Sequence, residues 1–438
     1  MSRVVVLFAM SAGVLLGCGR PAKDVVEVTA SSDVPEALPI AFTGTDWPWW
    51  RGPDHNNVAR CDNTVTSWSD SENVLWKTRV PGRGHSTPIV AGPHIVLATA
   101  DEAAQVQSVV CFDRGTGQLL WQTDIHTGGF PPQGEMHAKS THANGSVASD
   151  GRSLFVAFLN DGQVSLTSLT MEGEILWQTP VGYYVAKFGY APSPCLHGRF
   201  VIVSGDNRGG GFVAAIHRET GEIIWKKARD NQDTYSSAIV AELAGRPQLI
   251  LSGNRQLTAY NPETGELLWQ AEGTAQATCG TVVWHDNLVY ASGGYPERET
   301  VCVDAATGDV VWKDKVKCYE QSMLVADGFL YAVTDDGIAL CRDARTGDVK
   351  WRHRLAGPIS ASPLLVGNRI YATSENGTTW VFEASPDSFS QVGKNQLGTA
   401  AFASLVACDD KIYARVATGG REDRQEYLYC LGASSGVE

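Results

Sequence analysis

One short string recurs along the chain and limits the folds that it can adopt. Near-copies read DRGTGQLLW, HRETGEIIW, NPETGELLW, DAATGDVVW and DARTGDVKW, and a looser copy reads TMEGEILW. The copies follow one another at intervals of about 40–50 residues, and short β-rich runs split by turn residues fill each interval. An interval of that length is typical of one propeller blade. Recurring β runs define eight such units, six of which carry the string. Eight units predict an all-β fold, an eight-bladed β-propeller of four-stranded antiparallel blades.

The chemistry of the string suits a structural role. Its glycine can adopt the positive φ that a tight β-turn requires, and the preceding threonine can bond to the turn backbone. An indole that recurs at one place in the units is expected to pack against the neighbouring blade. Seven tryptophans hold this blade-packing position: Trp76, Trp121, Trp177, Trp225, Trp269, Trp312 and Trp351.

The two ends of the repeat region complement each other. The last unit, YLYCLGASSGVE, ends at its turn without a following strand, whereas NVLWK (Asn73 to Lys77) is a motif strand with no unit before it. We expect the early strand to complete the last blade, which closes the ring and removes exposed sheet edges. The predicted propeller domain therefore covers residues 73–438, and an aromatic lead-in covers residues 46–72.

A small hydroxyl residue recurs at the start of the first strand of each unit. First strands line the central channel of a propeller, where strands converge and small side chains fit. One interpretation is packing together with hydrogen bonds to the backbone, and the other is a polar channel that holds water or a ligand. The eight residues are Thr87, Ser146, Ser193, Ser237, Thr281, Ser322, Ser362 and Ser404.

The N-terminus predicts export. Its apolar run from Val4 to Leu16 is too short to span a bilayer and has the proportions of a secretory signal. The ending LLGC resembles the lipobox of bacterial lipoproteins, so residues 1–17 are predicted to be removed and Cys18 to carry the lipid. Residues 18–45 are rich in small, acidic and proline residues and predict a flexible tether. The alternative to lipidation is ordinary signal cleavage or an uncleaved apolar tail. The predicted location is the periplasmic face of the outer or inner membrane in the cell envelope.

Composition excludes some classes of partner and site. A net charge of −13 and a pI near 5.3, without a basic run, argue against nucleic-acid binding. No CxxC or CxxCH is present, which leaves zinc ribbons, thioredoxin-type chemistry and covalent haem unsupported. Four of the nine cysteines after Cys18 hold one equivalent strand position, which favours core thiols. Disulfides among the nine remain open.

The unrepeated loops are where a binding site is expected, because ligand sites concentrate on loops held by a rigid scaffold. They meet at the funnel, the end of the channel where the chain passes from one blade to the next. Gln122 to Gly145 is the longest such connection, and its histidines, His126 among them, indicate either metal binding or a hydrogen-bonded surface loop. Val181 to Ala191 carries aromatic residues that could stack on a flat ligand, dock a peptide or plug the channel.

The candidate binding residues on the funnel side include Glu320 and Gln321, a neighbouring acid and amide with calcium-like ligand chemistry. Asp206 and Asn207 form a second such pair. No catalytic residue and no metal ligand is assigned, because the histidine spacing matches neither HExxH nor a zinc finger. The candidates are His137, His142, Tyr190, Tyr235, Glu320 and Gln321.

The recurring string and its interval resemble the pyrroloquinoline-quinone (PQQ) repeat, and the resemblance covers about Asn73 to Gly436. The lead-in WPWWRGPDHNN is also similar to segments that precede such propellers in bacterial exported proteins. Two branches share the fold that this resemblance implies. One contains quinoprotein dehydrogenases, and the other contains non-enzymatic lipoproteins such as the propeller subunit of the outer-membrane barrel-assembly machinery.

The two branches imply different chemistry. The dehydrogenase branch implies PQQ above a calcium ion, an Asp base and usually a disulfide between adjacent cysteines. This chain has no adjacent cysteine pair and no segment that matches the calcium ligands or the base. The lipobox, the short tether and the compact ring look like the lipoprotein branch.

We therefore expect a non-catalytic, lipid-anchored, monomeric scaffold that binds envelope proteins or a membrane complex and needs no cofactor. One alternative is a PQQ-dependent alcohol or sugar dehydrogenase, which would bind PQQ and calcium. Another is a propeller that binds a small molecule or a glycan with its funnel loops.

Overall fold

Eight four-stranded antiparallel sheets make up the molecule and confirm the predicted eight-bladed propeller. The computed structural model describes residues 25–30, 34–420 and 423–433. In these residues the single helical element is a short 3-10 turn, Gln133–Glu135. The first strands of neighbouring blades contact one another, which places them around the central axis.

Strand β1 (Val74–Val80) precedes the first blade. The first four blades consist, in order, of β2 (Ile89–Ala91), β3 (His94–Asp101), β4 (Val106–Asp113) and β5 (Leu119–Thr127); β6 (Ala148–Ser149), β7 (Ser153–Asn160), β8 (Gln163–Thr170) and β9 (Ile175–Tyr183); β10 (Cys195–His197), β11 (Phe200–Ser204), β12 (Gly211–His217) and β13 (Ile223–Arg229); β14 (Ile239–Leu243), β15 (Arg246–Gly253), β16 (Gln256–Tyr260) and β17 (Leu267–Glu272).

The remaining blades follow the same pattern, except that the last has only three strands of its own. They consist of β18 (Val283–His285), β19 (Leu288–Gly293), β20 (Glu299–Asp304) and β21 (Val310–Asp314); β22 (Leu324–Ala326), β23 (Phe329–Val333), β24 (Ile338–Asp343) and β25 (Val349–Arg354); β26 (Leu364–Val366), β27 (Arg369–Thr373), β28 (Thr378–Glu383) and β29 (Gln391–Gln396); β30 (Val406–Cys408), β31 (Lys411–Thr418) and β32 (Gln425–Leu431).

The early strand closes the ring. Strand β1 pairs antiparallel with β32, with Trp76 opposite Cys430 and Thr78 opposite Leu428. It thereby supplies the outer strand that the eighth blade lacks, in the sheet order β1-β32-β31-β30. The blade that ends the chain is completed by the segment that begins the propeller.

The recurring string joins six of the eight blades to the blade before them. Gly265 has φ +70°, and a Cβ added there would lie 2.7 Å from Trp225, the string tryptophan of the preceding blade. The indole Nε1 of Trp225 donates to the carbonyl of Pro262, at 2.9 Å, in the same turn. The same contact between a string glycine and the preceding indole recurs at Gly117, Gly173, Gly221, Gly308 and Gly347.

The recurring hydroxyl residues form a ring of hydrogen bonds around the channel. In the part of the chain that the structure describes, seven of the eight junctions have a backbone N–H that donates to the hydroxyl of the next blade. One of them joins Ser404 back to Thr87, at 3.1 Å, across the closure. At the remaining junction the hydroxyl of Thr281 accepts from the indole of Trp50, at 2.9 Å.

The lead-in crosses the end of the channel opposite the funnel. Trp47 exchanges backbone hydrogen bonds with Val90 of the first blade, at 2.8 and 2.9 Å. Arg51 is fully buried and donates to the carbonyl of Met323, at 2.9 Å, beside the sixth blade. The Asn57 amide donates to the carbonyl of Pro363, at 2.5 Å, beside the seventh. One short segment therefore links distant blades and plugs the channel.

Described residues of the predicted tether lie on the propeller. Val28 exchanges backbone hydrogen bonds with Lys226 on the outer strand of the third blade, at 3.1 and 2.9 Å. The backbone N–H of Ala41 donates to Asp150 in the second blade, at 2.8 Å. Backbone pairing of this kind holds the segment against the side wall. The predicted signal and Cys18 lie outside the described residues.

Cysteines and membrane segments complete the description. All nine cysteines in the described residues are free thiols. The four that share one strand position, Cys111, Cys302, Cys341 and Cys430, are buried, and burial raises the pKa of each. Among the described residues we find no helix with the length and apolar character needed to cross a membrane.

Candidate functional site

A cavity of about 390 Å³ occupies the funnel on the propeller axis. Each of the eight connections between blades contributes at least one lining residue. One lining residue in each connection lies two positions before the recurring hydroxyl, the spacing of side chains on one side of an extended segment. In blade order this floor ring is His85, Asn144, Ala191, Tyr235, Cys279, Glu320, Ser360 and Phe402.

A compact ionic group forms one side of the cavity. The Lys139 ammonium lies 2.6 Å from Glu375 and 3.7 Å from Glu320. The Ser360 hydroxyl donates to Glu320 and lies 2.5 Å from Glu375. Burial lowers the pKa of Lys139, but the hydrogen bond that it donates to Glu375 and the charge of Glu320 outweigh burial and raise the pKa overall. The ammonium therefore stays charged and neutralises one of the two carboxylates.

Aromatic side chains form much of the remaining wall. Phe402 stacks on His85, with ring centroids 4.5 Å apart and planes 18° apart. Phe188 contacts His137 edge to face at 5.5 Å and lies 6.4 Å from the ring of Tyr235. Tyr295 and Tyr319 also line the cavity. Apolar walls with a few polar groups are characteristic of small-molecule sites.

Two polar atoms at this cavity have no hydrogen-bond partner among the described residues. They are Nε2 of His85 and the hydroxyl of Tyr235, a residue that is 6% exposed. Burial lowers the pKa of His85 well below its usual value, and the positive charge of Arg83 adds to the effect. His85 is therefore a neutral imidazole that can donate or accept one hydrogen bond to a ligand.

The structure brings three of the six predicted binding residues together. His137, Tyr235 and Glu320 line the cavity. Its position two residues before Ser322 places Glu320 in the floor ring, and Tyr235 has the same relation to Ser237.

The other three predicted residues support the fold around the funnel. Tyr190 is buried and donates to the carbonyl of Ser204 at 3.0 Å. Gln321 is fully buried and donates to Val333 at 2.5 Å. His142 stacks on Phe130 at 4.1 Å and lies 3.8 Å from Glu102.

The second acid and amide pair is also engaged away from the cavity lining. Asp206 binds the Arg229 guanidinium through both oxygens, at 2.7 and 3.0 Å. The Asn207 amide donates to the carbonyl of Gly205 at 2.8 Å. Both side chains stabilise the third blade.

Sequence inspection missed several lining residues, among them Lys139, Ser360 and Phe402. A signal for the last two is present in the sequence. Both lie two residues before a recurring hydroxyl, at a position whose residue type changes from unit to unit. Lys139 has no such signal, because it lies in an unrepeated loop and reaches Glu375 only through the fold.

Comparison with known proteins gives two kinds of match. The family model described as outer membrane protein assembly factor BamB matches residues 105–352 and 339–387. The outer membrane protein assembly factor BamB of Burkholderia pseudomallei (strain K96243) is 23% identical over 344 residues, which cover 69% of this chain and 84% of that protein.

Solved structures share the fold at low identity. BamB from Moraxella catarrhalis superposes with a TM-score of 0.60 at 13% identity, over 81% of this chain and 99% of that one. A europium-containing methanol dehydrogenase superposes with a TM-score of 0.66 at 12% identity, over 89% of this chain and 98% of that one. Identities this low show the propeller fold and nothing finer.

The funnel residues do not fit the calcium and PQQ that the dehydrogenase branch would require. Calcium takes six to eight oxygen ligands, and in the described part of the chain no group of three or more His, Cys, Asp or Glu side chains could hold a metal ion. Glu320 and Glu375, the carboxylates of the ionic group, share an internal ammonium, Lys139. The sequence also lacks the adjacent cysteines that would stack on the quinone.

Proposed function

Because this chain belongs to the family of outer membrane protein assembly factor BamB, we propose that it is a non-catalytic propeller scaffold of a membrane assembly complex in the cell envelope. Residues 1–17 act as an export signal, and Cys18 carries the lipid that holds the protein at the membrane. The protein acts as a monomer that binds envelope proteins of the complex.

The ionic group of the funnel is the observation that carries the non-catalytic part of this proposal. A calcium ion between Glu320 and Glu375 would have to displace the Lys139 ammonium, which lies 2.6 Å from Glu375. Like charges at such short range repel strongly in a partly buried site. The funnel therefore favours an internal cation over a bound one, which supports a role other than quinone-dependent oxidation.

The side wall of the propeller supports the scaffold part. The outer strands expose pairs of apolar residues, such as Leu119 with Leu120 and Ile175 with Leu176, at 40–54% exposure. These pairs precede the string tryptophans and lie on adjacent blades. Contiguous exposed apolar residues are typical of surfaces that bind a partner.

The first experiment identifies the partners. The full chain with a C-terminal affinity tag is isolated from detergent-solubilised membranes of its own host, and the bound proteins are identified by mass spectrometry. We expect outer-membrane assembly proteins in stoichiometric amounts and a Cys18→Ser variant that no longer incorporates a radioactive lipid precursor. An unrelated lipoprotein with the same tag controls for membrane carry-over.

Two results would contradict parts of this proposal. Dye-coupled oxidation of an alcohol or a sugar by the purified protein, dependent on added PQQ and calcium, would contradict the scaffold. Equal lipid labelling of the wild type and Cys18→Ser would contradict the anchor.

A further inference from the structure

We propose that the funnel cavity binds a neutral saccharide of one or two rings. The cavity lies on the axis, whereas the apolar pairs of the scaffold surface lie on the side wall. The proposal therefore goes beyond the scaffold role and does not depend on it.

The order of the floor ring provides the first argument. Tyr235 precedes the first strand of the fourth blade and Phe402 that of the eighth. Blades four apart in a ring of eight are opposite each other, so these two aromatic side chains face each other across the axis. A pyranose ring has apolar C–H faces that pack on aromatic rings, and weak C–H contacts add to the burial of apolar area.

The polar groups lie across the other diameter. Glu320 belongs to the sixth blade, and Asn144 belongs to the second, opposite it. The Asn144 amide already accepts from Thr141 and donates to Ser140 and Tyr190, so Glu320 is the member of this pair that is open to a ligand. The Glu320 oxygen nearest Lys139 lies 3.7 Å from the ammonium, beyond a hydrogen bond, and can therefore accept one from a ligand. Sugar hydroxyl groups project from the ring edge, at right angles to the stacked faces. The aromatic walls therefore match the C–H faces of a saccharide, and the polar wall matches its hydroxyl edge.

The unpartnered atoms provide an independent argument. The Tyr235 hydroxyl and His85 Nε2 are buried without a partner among the described residues. A buried polar group without a hydrogen bond costs roughly 1–3 kcal/mol. Hydroxyl groups both donate and accept hydrogen bonds, so a polyol has the chemistry that these two atoms lack.

Charge and size narrow the class of ligand. The Lys139 ammonium neutralises one of the two carboxylates beside it, so the ionic group keeps one negative charge, which disfavours an anionic ligand. Two lysines also cover aromatic rings of the wall, since Lys187 lies 4.8 Å from the Phe188 ring and Lys317 lies 5.3 Å from that of Tyr319. These rings are less available to a cationic ligand. A volume of about 390 Å³ lies within the range of small-molecule sites, roughly 300–1,000 Å³.

Saturation-transfer NMR on the purified full chain tests the proposal. The probes are glucose, galactose, N-acetylglucosamine, cellobiose and N,N′-diacetylchitobiose, with choline as a cationic comparator. We expect transfer to ring C–H protons of at least one saccharide and none to choline. Transfer to choline alone, or to none of the saccharides at millimolar concentration, would overturn the proposal.

Matched variants locate the binding. Phe402→Leu keeps an apolar side chain but loses the stacking face, so the dissociation constant should rise about threefold to tenfold. Phe130→Leu is the control, because Phe130 stacks on His142 as Phe402 stacks on His85 but does not line the cavity. Glu320→Gln provides a second lining variant should Phe402→Leu not fold. Equal weakening in the control and lining variants, or unchanged affinity in the lining variants, would refute the site.

Discussion

The glycine of each recurring string meets two separate structural requirements. One is the backbone, because Gly265 has φ +70°, a region that residues with a Cβ occupy at a cost. The other is the indole of the preceding blade, which leaves no space for a Cβ. The first requirement follows from the turn chemistry of the sequence. The second arises only when two blades pack, and it makes the string a contact between blades as well as a turn.

These two requirements can be separated by substitution. Gly245 has φ +76° but no atom within 4 Å of an added Cβ, so Gly245→Ala tests the backbone alone. We expect it to cost about 1–2 kcal/mol of unfolding free energy. Gly265→Ala should cost roughly 1–3 kcal/mol more, because the new methyl overlaps the Trp225 indole. Urea unfolding measures both, and equal losses would show that the indole contact is unimportant.

Among the elements, the lead-in contains a buried histidine, His55. His55 stacks on Trp49 with centroids 5.2 Å apart, and its Nδ1 lies 3.3 Å from the Trp50 carbonyl. Burial lowers the pKa of His55 to about 4 and outweighs the hydrogen bond to the Trp50 carbonyl, which raises it. The lead-in therefore contains an uncharged imidazole in its buried part.

The lead-in should lose stability in mild acid. Between the unfolded pKa of about 6.5 and the folded pKa of about 4, the unfolded chain binds the extra proton, so stability falls as pH falls. From pH 7.5 to pH 5, His55 should account for a loss of roughly 2 kcal/mol in the free energy of unfolding. Urea unfolding of wild type and His55→Asn at both pH values measures this contribution, because asparagine tolerates the φ of +52° at this position.

A second histidine provides the control for that measurement. His285→Asn makes the same substitution at a histidine whose side chain is 41% exposed. Other buried histidines, His85 among them, contribute in the same direction and remain in all three proteins. The idea fails if His55→Asn and the wild type lose the same free energy between the two pH values.

At the scale of the whole molecule, repetition explains what could be predicted. The blades repeat the same strand pattern, and seven of the eight carry the string tryptophan, so the number of blades and the closing role of Val74–Val80 follow from the sequence. The recurring hydroxyls predicted contacts near the axis but left open their partners. The ring of hydrogen bonds from one blade to the next depends on blade spacing, which a single unit does not encode.

Unrepeated segments were harder to predict because only tertiary contacts determine their positions. The aromatic composition of the lead-in gave no indication that Arg51 would reach Met323 across the channel. The composition of residues 18–45 predicted a flexible tether, yet backbone hydrogen bonds place Val28 on the third blade. In the funnel, His137, Tyr235 and Glu320 lie at the cavity, whereas the pairing of Lys139 with Glu375 joins residues far apart in the sequence.

Closure determines whether the propeller unfolds as one unit. The chain joins the other blades in sequence, whereas the eighth blade is joined to the first through β1 and through contacts between the two blades, such as the hydrogen bond from Arg415 to the carbonyl of Ala98 at 2.8 Å. An open array of repeats can lose its terminal repeats separately. A closed ring, with the lead-in bound to several blades, should instead unfold in one transition in which fluorescence and circular dichroism coincide.

Proline at equivalent positions of two outer strands tests this dependence. Thr78 lies two residues after Trp76 in β1, and His353 lies two residues after Trp351 in β25. Thr78→Pro should detach β1 from β32 and lower the free energy of unfolding by roughly 2–3 kcal/mol. The unfolding transition followed by fluorescence should then separate from the one followed by circular dichroism. His353→Pro disturbs a strand outside the closure and also removes a stacking contact with Phe389 at 3.8 Å, which makes it a strict control.

Hydrogen exchange provides a second measurement. It should rise along Gln425–Leu431 in Thr78→Pro alone, since that strand loses its partner. Coincident transitions in Thr78→Pro, or equal exchange in both variants, would show that the ring does not need this strand to unfold as one unit.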